Sequence, residues 1–386
     1  MTAAAAAPRG RRGRRRASAA LVGVMVAFAA WPLVESHTSL LNTDWPSYAT
    51  GGSLVLHHPA ALYDRPTQVA VEREIVSGAR LTGGEQGDYL SFDQGPWIAL
   101  LATPFVALGV DPGARLWIEL ELLCTCAAVA LVARTTGNRG ALAAAASVPT
   151  GLVLANAQLD GLFVLGLGLA AAAWSRSRWV AGAALTLCVA KPQLALPLAA
   201  AVLLSRNYRV LAGWVAGVAM LVLLAAAIHA PWLVEWPRFV AHGAGRLGYE
   251  LGLTGFVLRL DALGGAAPAL ALVTLGAGLA LVLWLARRRT GDPGAVVAVL
   301  LAGGFLLSPH VLASDTALLA LALLFWGRAR AVHWLALSGL ALAAAVLHPL
   351  AISSAVGIAL GLGALALVAR QPALGEDAGE GRVGAW

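Results

Sequence analysis

Residues 9–34 read RGRRGRRRASAALVGVMVAFAAWPLV. Six arginines precede an apolar run that begins at Ala17 and is long enough to cross a bilayer. Arginine collects on the cytoplasmic side of membrane helices, so the sequence predicts a first span whose start stays inside. A secretory signal opens in a similar way, but its apolar core is shorter and ends at a small-residue cleavage site. Here Trp31-Pro32-Leu33-Val34-Glu35 follows, which predicts an uncleaved span.

The rest of the chain repeats this alternation. Of 386 residues, 59% are hydrophobic and 12% are charged, about half the charged share of a soluble domain. Short basic loops fall at 134–139, 176–178, 206–209, 287–289, 328–330 and Arg370. Between them lie stretches poor in Arg but containing His, Asp, Glu, Pro and Trp. The fold class that follows is all-α, a polytopic transmembrane helical bundle with about twelve crossings and both termini cytoplasmic. The crossings are placed near 17–34, 113–133, 140–155, 157–174, 179–190, 193–204, 208–230, 266–286, 295–307, 315–327, 332–347 and 351–369. Several are shorter than the roughly 20 residues a full span requires. The pair flanking Lys191-Pro192 also reads as a re-entrant hairpin, and 96–108 as an interfacial or dipping segment. The domain organisation is then a basic cytoplasmic tail at 1–16, one membrane domain over 17–370, and a tail at 371–386. That last tail is Gly-, Ala- and Glu-rich and is expected to be disordered. Two polar stretches, 35–95 directly after the first helix and 231–259, are expected as large external loops.

Composition removes several function classes. The net charge of +7 is divided among short loops, as topology control requires, so nucleic acid is not an expected partner. Cys124, Cys126 and Cys188 lie within apolar runs and read as small apolar fillers. No Gly-rich phosphate loop with a following Lys and Ser or Thr is present, and no Cys/His set has metal-ligand spacing. No cofactor is expected; dependence on a divalent ion is left open. Membrane lipid is the one partner that composition alone implies.

Seven of the eight histidines fall in or near the segments assigned outside, His333 being the exception. Titratable groups at the ends of apolar helices are costly to place, which makes three of them informative. Asp44 stands in Asn42-Thr43-Asp44-Trp45-Pro46-Ser47-Tyr48, either as a turn former before Trp-Pro or as a reactive carboxylate at the membrane surface. Lys191 is the single lysine among 27 basic residues. Its compact ammonium either snorkels at a helix end or meets an anion such as phosphate. His310, in Ser308-Pro309-His310, bonds across a turn or serves as an acid, a base or a phosphate donor. Asn156, Gln158 and Asp160 form a polar break, which also reads as a plain turn.

In this order the segments resemble glycosyltransferase family 87, membrane enzymes of the GT-C fold that include bacterial mannosyl- and arabinofuranosyltransferases. The resemblance spans roughly 17–370. It is carried by Asp44 and Tyr48, Ala61-Leu62-Tyr63-Asp64, Phe92, Pro96 and Trp117, then by Asn156-Ala157-Gln158, Lys191-Pro192 and Ser308-Pro309-His310. Ala157 stands where the family often has Gly, and Asp93-Gln94-Gly95 replaces a more aromatic approach to Pro96. The resemblance implies an inverting transfer of mannose or arabinofuranose from a polyprenyl-phosphate donor to a glycolipid or glycan acceptor. The site would face the extracytoplasmic side of the plasma (inner) membrane. Asp44 would be the general base. Lys191, His310, Arg259 and Arg246 would hold the donor phosphate, with Trp45, Tyr48, Gln158 and Asp315 lining the substrate. The competing reading is a transporter or flippase for a lipid-linked sugar, since intramembrane charge and Pro-broken helices also mark transport paths.

Overall fold

The computed structural model describes residues 9–77, 89–243, 250–348, 350 and 352–370. The 371–386 tail and Arg246 lie outside the described residues. Every regular element among the described residues is a helix. After α1 (Arg9–Val34), the stretch expected as a loop holds α2 (His37–Leu41), α3 (Trp45–His57) and α4 (Arg65–Val76), followed by α5 (Pro96–Val106) and α6 (Val110–Thr136). The expected crossing at 140–155 is divided into α7 (Ala141–Ala145) and α8 (Val148–Ala155). Ser147 is extended, φ −80° and ψ 158°, and Pro149 sits in the first turn of α8, where its missing N–H has no intrahelical partner to lose, so the break falls at Ser147. Then come α9 (Asp160–Ala173) and α10 (Arg178–Ala184), which tightens into a 3₁₀ segment at Leu185–Ala190. Lys191-Pro192 ends that segment before α11 (Leu196–Leu204). The chain continues with α12 (Tyr208–His229), α13 (Trp232–Gly243), α14 (Leu253–Leu258), α15 (Ala267–Arg287) and α16 (Pro293–Leu307). It closes with α17 (Ala317–Trp326), α18 (Ala331–Val346) and α19 (Ile352–Ala369).

Five of these helices are long and apolar enough to cross a membrane: Ala17–Val34, Val110–Thr136, Tyr208–His229, Ala262–Arg287 and Ile352–Ala369. The other apolar helices are shorter, and α10 and α11 are interrupted at Lys191-Pro192. α12 leaves Val215, Met220, Leu223 and Leu224 exposed, and α15 leaves Leu272 and Val273 exposed. A continuous apolar face of this kind is what a lipid-facing helix presents. By contrast α17 is buried along its whole length, as a helix apolar on all sides must be.

Small residues set how closely the central helices approach. A Cβ at Gly161 of α9 would meet Glu121 Oε2 at 2.4 Å, and one at Gly168 would meet Ala128 Cα at 2.7 Å. The two glycines are seven residues apart, as are their α6 partners, so α6 and α9 touch along two turns of backbone.

The described residues of the stretch 35–95, 35–77 and 89–95, carry the packed helices α2, α3 and α4. Trp45, Tyr48, Leu54, Leu62 and Phe92 form one apolar cluster with Ile98 of α5 and Trp117 of α6. The polar composition that reads as loop conceals buried residues on each of these helices, and α3 is buried on all sides from Trp45 to Gly52. The second polar stretch, 231–259, likewise carries α13 and α14.

Candidate active site

The turn at 156–160 organises the site. Ala157 adopts a left-handed backbone, φ 52°, which L-residues other than Gly seldom enter. This is the conformation that explains why glycine suits the position. The turn directs two carbonyls inward: Asn156 O accepts from Asp44 N at 3.0 Å, and Ala157 O accepts from Trp117 Nε1 at 3.1 Å. Gln158 Nε2 donates to Asp44 Oδ2. Asp44 is held by both its backbone and its carboxylate, although it sits 114 residues away from Gln158.

Asp44 occupies the position before α3, yet its side chain makes no cap bond to the helix. Thr43 takes the local work: its Oγ1 accepts from Trp45 N at 3.1 Å and donates to Leu40 O at 2.7 Å. Burial pushes the Asp44 carboxyl up from 3.8 to about 6; Lys191 pulls it down, Asp93 pushes it up, and His310 and the Gln158 hydrogen bond pull it down. Such a carboxylate titrates near neutrality, where a general base is most effective.

Lys191 lies at the break between α10 and α11. Its Nζ donates to Asp160 Oδ2 at 2.9 Å and Asp315 Oδ1 at 2.6 Å, and the residue is 7% exposed. Asp160 opens α9. Asp315 sits in the 3₁₀ turn ahead of α17 and accepts from Leu312 N at 2.6 Å. Three helix ends therefore converge on one ammonium. The sequence reading treats Lys191 as a cation open to phosphate and Asp315 as a substrate-lining group. In the structure they neutralise each other, because a lysine this deep requires paired carboxylates.

His310 is held from the other side. Its Nδ1 lies 2.9 Å from Glu250 Oε1, while Glu250 Oε2 accepts from Val311 N at 2.7 Å. Arg259 donates to Glu250 Oε1 at 3.2 Å. Burial alone would lower the His310 pKa. The Glu250 hydrogen bond and charge, with Asp315, outweigh it and hold the imidazole above its ordinary value. Ser308 Oγ donates to His310 O at 2.7 Å and fixes the turn. Among the described residues no hydrogen bond engages the other ring nitrogen, Nε2.

Trp45 and Tyr48 sit differently from the sequence expectation. Trp45 is fully buried, donates Nε1 to Val110 O at 3.0 Å and packs 5.8 Å from Trp117. Tyr48 lies 5.2 Å from the same ring and is also buried. Both flank Asp44 from within the core and offer no open ring face. Among the described residues no group of three or more His, Cys, Asp or Glu is placed to hold a metal.

Sequence reasoning missed Glu250, Asp93 and Glu121. Glu121 is fully buried in α6 against the start of α9, within the field of Asp160 and Lys191. A carboxylate inside an apolar run is its own signal. Glu250 gives no comparable signal, because His310 and Val311, which it holds, lie about 60 residues away along the chain.

Fold and site together define a helical membrane protein with interlocked charge gathered at the ends of several broken helices. A family model, Glycosyltransferase family 87, matches residues 94–309, more than half of the chain, and the protein belongs to that family. It is a membrane glycosyltransferase, and the transporter alternative lapses with that membership. No curated protein and no solved structure matches the chain.

Proposed function

We propose that this glycosyltransferase moves mannose or arabinofuranose from a polyprenyl-phosphate donor to a glycolipid or glycan acceptor, with inversion at the anomeric carbon. The observation that carries the reading is the state of Asp44. Its carboxylate ignores the helix it precedes, is half-buried beside Gln158, and lies within the fields of Lys191 and His310. In the proposed reaction an acceptor hydroxyl attacks the anomeric carbon from the face opposite the phosphate. The proton passes to Asp44 as the new C–O bond forms. The bond to the phosphate oxygen breaks, and its electron pair leaves on the lipid phosphate. His310 and Arg259, both steadied by Glu250, meet the charge that develops there.

Lys191 enters this proposal through its carboxylates. Between Asp160 and Asp315 it ties α9 to the turn ahead of α17, and its own charge lowers the Asp44 pKa. Trp45 and Tyr48 hold the base in place. Arg246 stays in the proposal as a further phosphate contact on sequence grounds alone. The domain over 17–370 is proposed to sit in the plasma membrane with both termini cytoplasmic, about twelve crossings, and the Asp44 end extracytoplasmic. The Arg-rich loops support that orientation.

The test is a transfer assay on the purified full chain with mannosyl- and arabinofuranosyl-polyprenyl phosphates, reading the anomeric configuration of the product by NMR. Product of inverted configuration from either donor supports the reading. Turnover of a soluble sugar nucleotide, with neither lipid donor consumed, overturns the donor class.

A further inference from the structure

The amphipathic helix α13 packs through Trp232, Glu235, Trp236 and Phe239, spaced i, i+3, i+4 and i+7 as one helical face. Trp232 is fully buried and donates Nε1 to Pro59 O at 2.7 Å. Trp236 donates Nε1 to Asp93 O at 2.9 Å and meets the Trp97 ring edge-on at 5.0 Å. A carboxylate on this packed face is unexpected. Glu235 Oε2 is buried and finds no hydrogen-bond partner among the described residues. His229 Nε2 stands 4.0 Å from it, beyond hydrogen-bond reach. On the other side of Trp236, Trp97 Nε1 is also buried without a partner among the described residues. The Glu235 side chain is 39% exposed overall, so its carboxylate is open to a ligand even though Oε2 lacks a partner among the described residues. Glu235 lines the groove beside it and so offers an unengaged acceptor to a ligand hydroxyl.

Beside them lies an open cavity of about 290 Å³ between Tyr63, Glu235, Arg238 and Phe239, at the small end of ligand-site size. The Tyr63 and Phe239 rings, 5.8 Å apart, form its apolar wall. A carboxylate and a guanidinium form the polar wall. Aromatic faces suit the C–H face of a sugar ring, and the charged pair suits its neighbouring hydroxyls. Glu235 in the wall disfavours an anion such as the lipid phosphate. The groove wall is fastened to the stretch that carries Asp93. Tyr63 Oη donates to Gln94 O at 2.8 Å and Trp236 grips Asp93 O, while the Asp93 charge reaches Asp44.

We infer that the groove between Tyr63, Glu235, Arg238 and Phe239 binds a neutral saccharide unit of the acceptor and leads its hydroxyl past Asp93 to Asp44; this rests on the transferase reading above. The test is saturation-transfer NMR on the full chain in a sugar-free detergent, with the methyl glycosides of mannose, arabinofuranose and glucose as probes and no donor present. At least one probe is expected to show ring-proton saturation that falls fivefold or more in Phe239→Ala and in Glu235→Gln. Phe239→Tyr, which keeps the ring, is expected to retain it and so guards against misfolding. Saturation absent for all three probes, or unchanged in both loss variants, overturns the groove even if lipid-donor transfer is active. Saturation that depends on Phe239 supports the groove even if neither lipid donor is consumed, and the donor assignment alone then fails.

Discussion

Asp44 and Asp64 stand in the same local sequence: Asp44-Trp45-Pro46 opens α3 and Asp64-Arg65-Pro66 opens α4. An aspartate two residues before a proline is a helix-start signal in both. Only one of them obeys it. Asp64 has extended backbone, φ −93° and ψ 107°, and its carboxylate accepts from Thr67 N at 3.1 Å. Asp44 has helical backbone, φ −77° and ψ −3°, and makes no cap bond. The adjacent Thr43 hydroxyl accepts from Trp45 N instead, which frees the Asp44 carboxylate for Gln158 and the charges beyond it. A group whose local duty passes to a neighbour, and which is then buried among charges, is where function is to be sought.

The largest expected effect follows from that difference. Asp44→Asn keeps the shape and loses the proton acceptor, so turnover should fall about a hundred- to ten-thousandfold. In the wild type, kcat/KM should rise with pH through about 6, because the carboxyl, raised by burial, must be ionised to act; the variant should lack that limb. Stability should move the other way. Between its ordinary 3.8 and about 6, folded Asp44 holds a proton that the unfolded chain releases, so the folded state loses stability as pH rises through that window. At pH 8, Asp44→Asn should therefore unfold at the same temperature as the wild type or above it. A lower unfolding temperature with proportionate loss of activity would make Asp44 a structural residue like Asp64.

The second effect concerns the cation facing Asp44. Glu250 raises the His310 pKa, so a protonated His310 at the phosphate predicts that activity declines as pH rises through that raised value. Glu250→Gln should move this decline to lower pH, leaving the acid limb from Asp44 in place. If the alkaline limb does not move, His310 is a turn residue and Glu250 only fastens Val311.

Much of this was legible along the chain. The span read at 208–230 is α12 at Tyr208–His229, and that read at 266–286 is α15 at Ala267–Arg287, because long apolar runs leave few alternatives. Asp44, Gln158, Lys191 and His310 were legible because each is a polar group at the end of such a run, and the structure brings them to one end of the bundle. The partners of Lys191 were not legible as partners. Asp160 and Asp315 lie 31 and 124 residues away, and no local rule couples them. The buried aromatic layer over 35–95 was hidden for a similar reason: its helices are too short to show a period, and their apolar faces meet only after folding.

The third effect is smaller and tests the other aspartate. Asp64→Ala removes a satisfied cap and should destabilise the protein by about 1 kcal/mol, read as a lower unfolding temperature, with turnover within a few-fold of wild type. Asp64→Asn, which still caps, should change little. A loss of turnover in Asp64→Asn comparable with that in Asp44→Asn would erase the distinction between the two helix starts.

The smallest expected effect is at the turn that brings Gln158 to Asp44. Ala157 stands at φ 52°, a conformation that costs an L-residue roughly 1–2 kcal/mol. Ala157→Gly would relieve that strain. Glycine also raises the entropy of the unfolded chain, which offsets about 0.5–1 kcal/mol. The fully buried Ala157 methyl is lost as well, and burying one such carbon stabilises by about 0.8 kcal/mol. The terms nearly cancel, so Ala157→Gly should leave stability within about 1 kcal/mol of wild type. That balance explains how this chain keeps the left-handed turn, its carbonyl bonds to Asp44 and Trp117, and the Gln158 contact with alanine where glycine is usual. Ala157→Val should be poorly tolerated, because a β-branched side chain fits neither the buried space nor the positive φ. Thermal unfolding of the two variants decides between strain and packing. A large loss in Ala157→Gly would show that the methyl, and not the hand of the turn, is what the position requires. In that case the support for Asp44 would come from packing around Trp117 more than from the conformation of the 156–158 backbone.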